Sequence, residues 1–355
     1  MVNIINLEDY GWEKPLPPAA AGFLPARVTA VHKERYELIC GHGQAFGRLK
    51  TAVYYGRGEE FPTIGDFVLL QYEPSGDSQI VKTLPRRSFF SRRDPSPGRG
   101  EQAVAANFDT VFVMTSLNKD FNVSRLERYL ALAWQSGGTP VVILTKSDLA
   151  EGVTVQEKAE IAETAFPGVD IISVSAVTGQ GLDKLSVYLR PKKTAVFLGS
   201  SGVGKSSLLN ALAGEDIMDV KAIREDDSRG RHTTTHRQLF MLPSGGMIID
   251  TPGMRELGMW EVSHGLGTAF ADIEEVLSRP CRFSDCRHQT EPGCAVKAAI
   301  ENGELTAERW NSYLNLKRES RFSDDKIAFL RKKQLRHKTL AKWSKQKKKN
   351  GEIRK

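Results

Sequence analysis

Cysteine is scarce in this chain, with four in 355 residues, and the placement is uneven. Cys40 stands alone while Cys281, Cys286 and Cys294 stand together, which argues against a disulfide framework and for a metal site. No apolar run approaches the ~20 residues that a membrane-spanning helix needs, so no membrane partner is expected. The start, Met1-Val2-Asn3-Ile4-Ile5-Asn6, lacks the basic and apolar regions of a secretory signal, and a cytoplasmic location is the expectation. Internal repeats are missing too, which excludes solenoids and propellers. What remains is the composition of an ordinary globular protein, 40% hydrophobic and 26% charged, long enough for two or three domains.

Acidic residues are missing from one end. From Arg331 to Lys355 there are twelve Lys or Arg against the single acid Glu352, whereas the rest of the chain holds 38 basic and 42 acidic groups. The whole excess behind the net charge of +7 therefore lies in the C-terminal tail, as a solvated face or a nucleic-acid contact would require.

The central motif is Gly199-Ser200-Ser201-Gly202-Val203-Gly204-Lys205-Ser206, which fits the phosphate-binding pattern G-x-x-x-x-G-K-S/T. An apolar run, Ala195-Val196-Phe197-Leu198, leads into it, and Ser207-Leu208-Leu209-Asn210-Ala211-Leu212 continues it as a helix. Glycines let successive backbone N–H groups and the helix N-terminus face an anion. Lys205 is placed to reach the β- and γ-phosphates, and the Ser206 hydroxyl to ligate Mg²⁺.

Upstream, Thr145-Lys146-Ser147-Asp148 follows the strand Val141-Val142-Ile143-Leu144. A carboxylate there accepts from N1–H and the exocyclic amine of guanine together, a donor pair that adenine lacks. The stem of Lys146 would cover the base, and a backbone N–H of Ser175-Ala176 would meet guanine O6. Downstream, Asp250-Thr251-Pro252-Gly253 follows Met247-Ile248-Ile249; Asp250 would hold Mg²⁺ through water and the Gly253 amide would sense the γ-phosphate. Between them lies Gly230-Arg231-His232-Thr233-Thr234-Thr235-His236, where Thr234, with Thr233 and Thr235 as alternatives, would complete the Mg²⁺ shell of a switch loop.

The chain organises itself around these motifs. Short strands at 26–31, 35–39, 45–49, 66–70 and 79–84 predict a small barrel, an OB-fold or an SH3-like barrel. Arg86-Arg87-Ser88-Phe89-Phe90-Ser91-Arg92-Arg93 reads either as an RNA contact or as a barrel edge, running into a Pro/Gly linker. From Thr110 strands alternate with helices, the pattern of a doubly wound α/β domain. Beyond Ser263 there is no strand signal; helices are expected at 295–301, 306–318 and, in the basic tail, 324–349. The expected domains are 1–100, 101–260 and 261–355.

In the last of these, Cys281, Cys286, His288 and Cys294 offer three thiolates and an imidazole, a closed donor set for one structural Zn²⁺. Cys40 is read as a small buried hydrophobe.

The five nucleotide elements are those of Ras-like GTPases in rotated order, with the guanine motifs ahead of the phosphate loop. In that order, in Gly230–Thr235 and in the cysteine pattern, the chain resembles the circularly permuted, ribosome small-subunit-dependent GTPases of the RsgA (YjeQ) type. The resemblance covers nearly the whole chain. It implies an N-terminal barrel, a permuted α/β GTPase and a helical zinc domain. It also implies GTP hydrolysis with Mg²⁺, small-subunit rRNA as partner, and a role in late maturation of that subunit; a monomer is expected. A second reading is a GTP-regulated RNA-binding or chaperone protein acting on another ribonucleoprotein. Two departures stand out. Thr145 occupies the place where the base motif more often carries Asn, and Met254 follows Gly253 where a water-orienting Gln is common. His232 is the candidate to position the attacking water.

Overall fold

The computed structural model describes residues 5–13, 22–32, 35–54, 59–93, 101–118, 120–150, 152–218, 237–250, 270–288, 291–307 and 309–318. By its contacts the chain falls into two compact units, Met1–Arg92 with Gln102–Leu257, and Arg93–Glu101 with Gly258–Lys355.

In the first unit, β1 (Leu24–Val31), β2 (Tyr36–Cys40), β3 (Gly43–Leu49), β4 (Phe67–Gln71) and β5 (Ser78–Thr83) pair in the order β1-β2-β3-β5-β4, and β4 returns to pair with β1. Only β3 and β5 run parallel. A short helix α1 (Thr51–Tyr54) precedes β4. This closed five-stranded path is the OB-fold rather than the SH3-like alternative. Alternation fills its interior with Ala26, Val28, Leu38, Cys40, Val68, Leu70 and Ile80. Cys40 is fully buried there, as the sequence suggested, and burial pushes its thiol up.

A second sheet follows. Its strands are β8 (Thr110–Ser116), β9 (Thr139–Thr145), β10 (Asp170–Ser173), β11 (Thr194–Gly199), β12 (Arg237–Met241) and β13 (Met247–Asp250), in the order β10-β9-β8-β11-β13-β12. All neighbours are parallel except the β12–β13 pair. Every residue of β8 and β11 is buried, as expected of strands covered on both faces. Helices α2 (Val123–Gln135), α3 (Gly152–Ala165) and α4 (Lys205–Ala213) supply the crossovers. Between β10 and β11 the chain makes a short 3₁₀ helix, Asp183–Val187. No helix among the described residues is long and apolar enough to cross a membrane.

Two further strands, β6 (Phe89–Arg93) and β7 (Glu101–Ala106), pair on either side of the Pro/Gly stretch. They explain what Arg86 and its neighbours do. Arg86 donates to both carboxylate oxygens of the buried Asp66 (2.8 and 2.7 Å), and Arg87 reaches Asp109 at 3.1 Å. Phe90 stacks on Phe108 with centroids 4.9 Å apart. These side chains are spent on packing the unit, which favours the barrel-edge reading over an RNA contact.

The barrel joins the second sheet through β1–β12 pairing, Ala30 opposite Gln238 and Val31 opposite Arg237. Beside that seam lies Arg27 of β1, fully buried. Its guanidinium donates to the carbonyls of Tyr10 (2.5 Å), Gly65 (3.3 Å) and Asn107 (3.0 Å), and to Thr194 Oγ1 (3.0 Å). Burial, with the nearby Arg87 charge adding to it, pulls Arg27 down to about 9, still protonated at neutral pH. Gly65 adopts φ +83°, and a Cβ there would lie 2.1 Å from the Ala106 carbonyl, so only glycine lets the barrel loop approach β7 this closely.

The second unit contains α5 (Ala271–Ser278), α6 (Ala295–Glu301) and a further helical stretch at 309–318. Phe270, Ile273, Val296, Trp310 and Tyr313 are buried, and Arg309 holds Asp272 with two bonds of 2.9 Å. The tail expected to be helical at 324–349 lies outside the described residues.

Candidate nucleotide site and metal cluster

The motif residues stand where a parallel sheet places ligands, beyond the carboxyl ends of its strands. β9 ends at Thr145, β10 at Ser173, β11 at Gly199 and β13 at Asp250, so the four motifs come to one edge of one sheet. Sequence order differs from the usual one, yet strand order brings the same pieces together.

The phosphate loop connects β11 to α4. Gly202 and Gly204 adopt φ +72° and +104°, in the left-handed region that glycine alone enters freely. A Cβ on Gly199 would lie 2.7 Å from the Met114 carbonyl of β8. Val203 is buried and anchors the loop, while Ser206 and Ser207 sit in the first turn of α4. Lys205 Nζ donates to the carbonyls of Gly199 (2.9 Å) and Ser200 (2.6 Å). The loop thus offers a backbone cradle and a helix N-terminus, with one cation folded over it. That is a fit for a polyphosphate.

At β9, Thr145 Oγ1 donates to the Val203 carbonyl at 2.6 Å. Although Thr replaces the more common Asn here, its hydroxyl ties this motif to the phosphate loop. Lys146 adopts φ +60°. Ser147 Oγ is buried with no hydrogen-bond partner among the described residues, an orphan polar atom inside the site.

Asp148 and Ser175 meet. Ser175 is fully buried and its Oγ donates to Asp148 Oδ1 at 2.6 Å, while accepting from the amides of Val177 (3.3 Å) and Thr178 (3.1 Å). Two amides occupy the oxygen's lone pairs, so its one proton goes to the carboxylate. The Ser175 amide is itself taken by the Gln180 carbonyl at 3.0 Å. That leaves Ala176 as the better candidate of the pair to meet the base.

Asp250 is buried at the end of β13. Gly253, Met254, His232 and the threonines 233–235 lie outside the described residues. Asp120 and Arg125, after β8, belong to no sequence motif yet reach the site. Asp120 accepts from Ser200 Oγ at 2.5 Å and from Arg125 Nη1 at 2.6 Å. Strand order was the missing signal, since β8 is the direct neighbour of β11.

In the second unit the sequence-predicted ligands also come together. One donor atom each from Cys281, Cys286, His288 and Cys294 lies within 4.8 Å of all the others. His288 Nδ1 is 3.6, 3.7 and 3.4 Å from the sulfurs of Cys281, Cys286 and Cys294. A tetrahedral ion with Zn–S of about 2.3 Å and Zn–N of about 2.0–2.1 Å requires S···N separations of about 3.6 Å. The amides of His288 and Ala295 donate to Cys286 and Cys281 sulfur at 3.4 Å, an outer shell suited to thiolates. His288 adopts φ +61°, and its ring meets Trp310 edge-on.

Comparison with known proteins gives the same picture. The family model described as RsgA GTPase matches residues 83–260. "Small ribosomal subunit biogenesis GTPase RsgA 2" of Listeria monocytogenes is 46% identical over 318 residues, covering 89% of each chain. The Streptomyces coelicolor protein "Small ribosomal subunit biogenesis GTPase RsgA" is 45% identical, covering 88% of this chain and 86% of its own. Among solved structures, YjeQ from Thermotoga maritima matches with TM-score 0.64 at 27% identity, over 83% of this chain and 97% of that one. YloQ, described as a circularly permuted GTPase, matches with TM-score 0.61 at 26% identity, over 88% of this chain and 99% of that one.

Proposed function

The chain belongs to the RsgA GTPase family, and from that premise we propose that it hydrolyses GTP in the biogenesis of the small ribosomal subunit. The observation that carries this reading is the Ser175–Asp148 contact on the sheet edge that also holds the phosphate loop. Asp148 reads guanine through N1–H and the exocyclic amine, with Ala176 N–H meeting O6 and Lys146 covering the ring. Gly199 to Lys205 wrap the phosphates, Lys205 giving up its two carbonyls for the β- and γ-oxygens. Mg²⁺, held by Ser206, Thr234 and, through water, Asp250, would neutralise charge on the transferred phosphoryl group.

Met254 cannot orient water, so hydrolysis is slow until a partner acts, with His232 positioning the water in that state. The partner is the small subunit and its rRNA, bound through the OB barrel, the zinc-binding helical domain and the basic tail. We assign barrel and linker to 1–100, GTPase to 101–260 and zinc domain with tail to 261–355, with the protein acting as a cytoplasmic monomer and Zn²⁺ in the Cys₃His cluster. Support comes from the separate barrel core, the continuous nucleotide sheet and the close approach of the four donors, all within 4.8 Å of one another.

The test is GTP turnover with and without purified small subunits. Stimulation by small subunits, but not by large subunits or tRNA, is expected and should disappear in His232→Ala. A preference for ATP, or indifference to small subunits, would overturn the reading.

A further inference from the structure

We propose that Asp120, neutralised by Arg125, is a positioning residue that clamps the phosphate loop through Ser200 and so sets how tightly nucleotide is held. The proposal rests on reading that loop as a guanine-nucleotide site.

Ser200 is gripped from two sides. Its carbonyl accepts from Lys205 Nζ at 2.6 Å, and its hydroxyl donates to Asp120 Oδ2 at 2.5 Å. Asp120 is immobilised in turn. Arg125 Nη1 donates to its other carboxylate oxygen at 2.6 Å, and Arg125 Nη2 and Thr115 Oγ1 both donate to its backbone carbonyl at 3.0 Å. Arg125 is fixed on α2, whose N-cap Asn122 accepts from the Arg125 amide at 2.9 Å. The clamp therefore ties the phosphate loop to β8 and to the start of α2.

Charge makes the arrangement more than a tether. A carboxylate beside a phosphate-binding loop repels the ligand, and Coulomb energies between partly buried charges are large enough to matter. Asp120 and Arg125 side chains are 27% and 35% exposed, so solvent screens them only in part. Arg125 removes the repulsion while leaving Asp120 able to accept from Ser200. When Lys205 turns from the Ser200 carbonyl toward phosphate, the Asp120 bond is what keeps Ser200 in place.

The experiment is the dissociation rate of a fluorescent GDP analogue from the full chain. Asp120→Ala and Ser200→Ala should each speed release about tenfold, the scale of a hydrogen bond to a charged group, and the double variant should release no faster than either alone. Asp120→Asn keeps one acceptor oxygen for Ser200 but turns its amide N–H toward Arg125 in place of the second oxygen, and should lie between wild type and Asp120→Ala. Arg125→Ala should be the fastest, because it bares the carboxylate, and adding Asp120→Asn should slow it again. Guanine-over-adenine preference should not change, because the base is read elsewhere; a general loss of structure would move both. Rates that multiply in the double variant, or no recovery of Arg125→Ala by Asp120→Asn, overturn the clamp. Wild-type protein that holds no GDP overturns the site assignment, whereas wild type that holds GDP with unchanged variants overturns the clamp alone.

Discussion

The Ser175 hydroxyl donates to Asp148 Oδ1 at 2.6 Å, joining the loop after β10 to the loop after β9. Because the hydroxyl's acceptor capacity is taken by two backbone amides, it holds the carboxylate in one orientation. Ser175→Ala should weaken GDP and GTP binding about tenfold and lower the preference over inosine nucleotides, which lack the exocyclic amine. Asp148→Ala should abolish guanine preference altogether. Competition titrations with GDP, IDP and ADP measure both; unchanged GDP:IDP ratios in Ser175→Ala would refute the orienting role.

Thr145 shows how far the sequence could be read. The order of motifs, the barrel strands, the permuted sheet and the four metal donors were all legible, because glycine patterns, strand-end positions and ligand chemistry are local signals. The consequence of Thr145 was not. A hydroxyl that reaches the Val203 carbonyl depends on β9 standing two strands from β11, which no local pattern states. Asp120 and Arg27 were missed for the same reason, and β6 and β7 because the Pro/Gly stretch between them read as linker alone. Thr145→Val keeps the shape and removes the bond. It should loosen nucleotide about fivefold to tenfold without shifting base preference, which the same titrations would show.

Zinc should be present at one ion per chain and should resist dilution. Without a cation, desolvation and the neighbouring sulfurs push the Cys286 thiol up to about 11. Loading must therefore expel protons, so affinity should fall as pH falls. Chelation or Cys294→Ala should cost helicity and protease resistance around α6, where Cys294 is the N-cap residue. GDP binding should survive. Metal analysis and limited proteolysis decide it, and equal loss of nucleotide binding on chelation would count against a separate structural zinc.

Tyr54 gives the barrel an alkaline limit. It is 2% exposed, and its hydroxyl lies 3.0 Å from Thr83 Oγ1, whose own proton goes to the Glu60 carbonyl at 2.7 Å. Tyr54 is therefore the donor, and burial raises its phenol well above the ordinary value of 10.0. A folded-state value above the unfolded one means the unfolded chain loses its proton first. The contribution is complete below about pH 10 and declines as pH rises further. Tyr54→Phe should cost about 1 kcal/mol at neutral pH and flatten the decline above pH 10, as urea titrations at several pH values would reveal.

Arg27 is the strongest test of how the barrel and the nucleotide sheet are joined. Its bonds run to the N-terminal turn at Tyr10, to the barrel loop at Gly65, to Asn107 before β8 and to Thr194 at the start of β11. Every one of these acceptors is neutral, so the arginine cannot be explained as half of a buried ion pair; it is a charged hub that satisfies buried oxygens on both sides of the seam. Arg27→Met fills similar volume but strands those oxygens, at about 1–3 kcal/mol for each that is left unsatisfied. Arg27→Lys keeps the charge but cannot span four acceptors, and should fall between. Since the phosphate loop lies at the far end of β11 from Thr194, nucleotide affinity of the folded fraction should change little. Denaturant melts paired with GDP titrations separate the two effects. A Met variant as stable as wild type would mean that the β1–β12 pairing and the apolar contacts hold the seam alone.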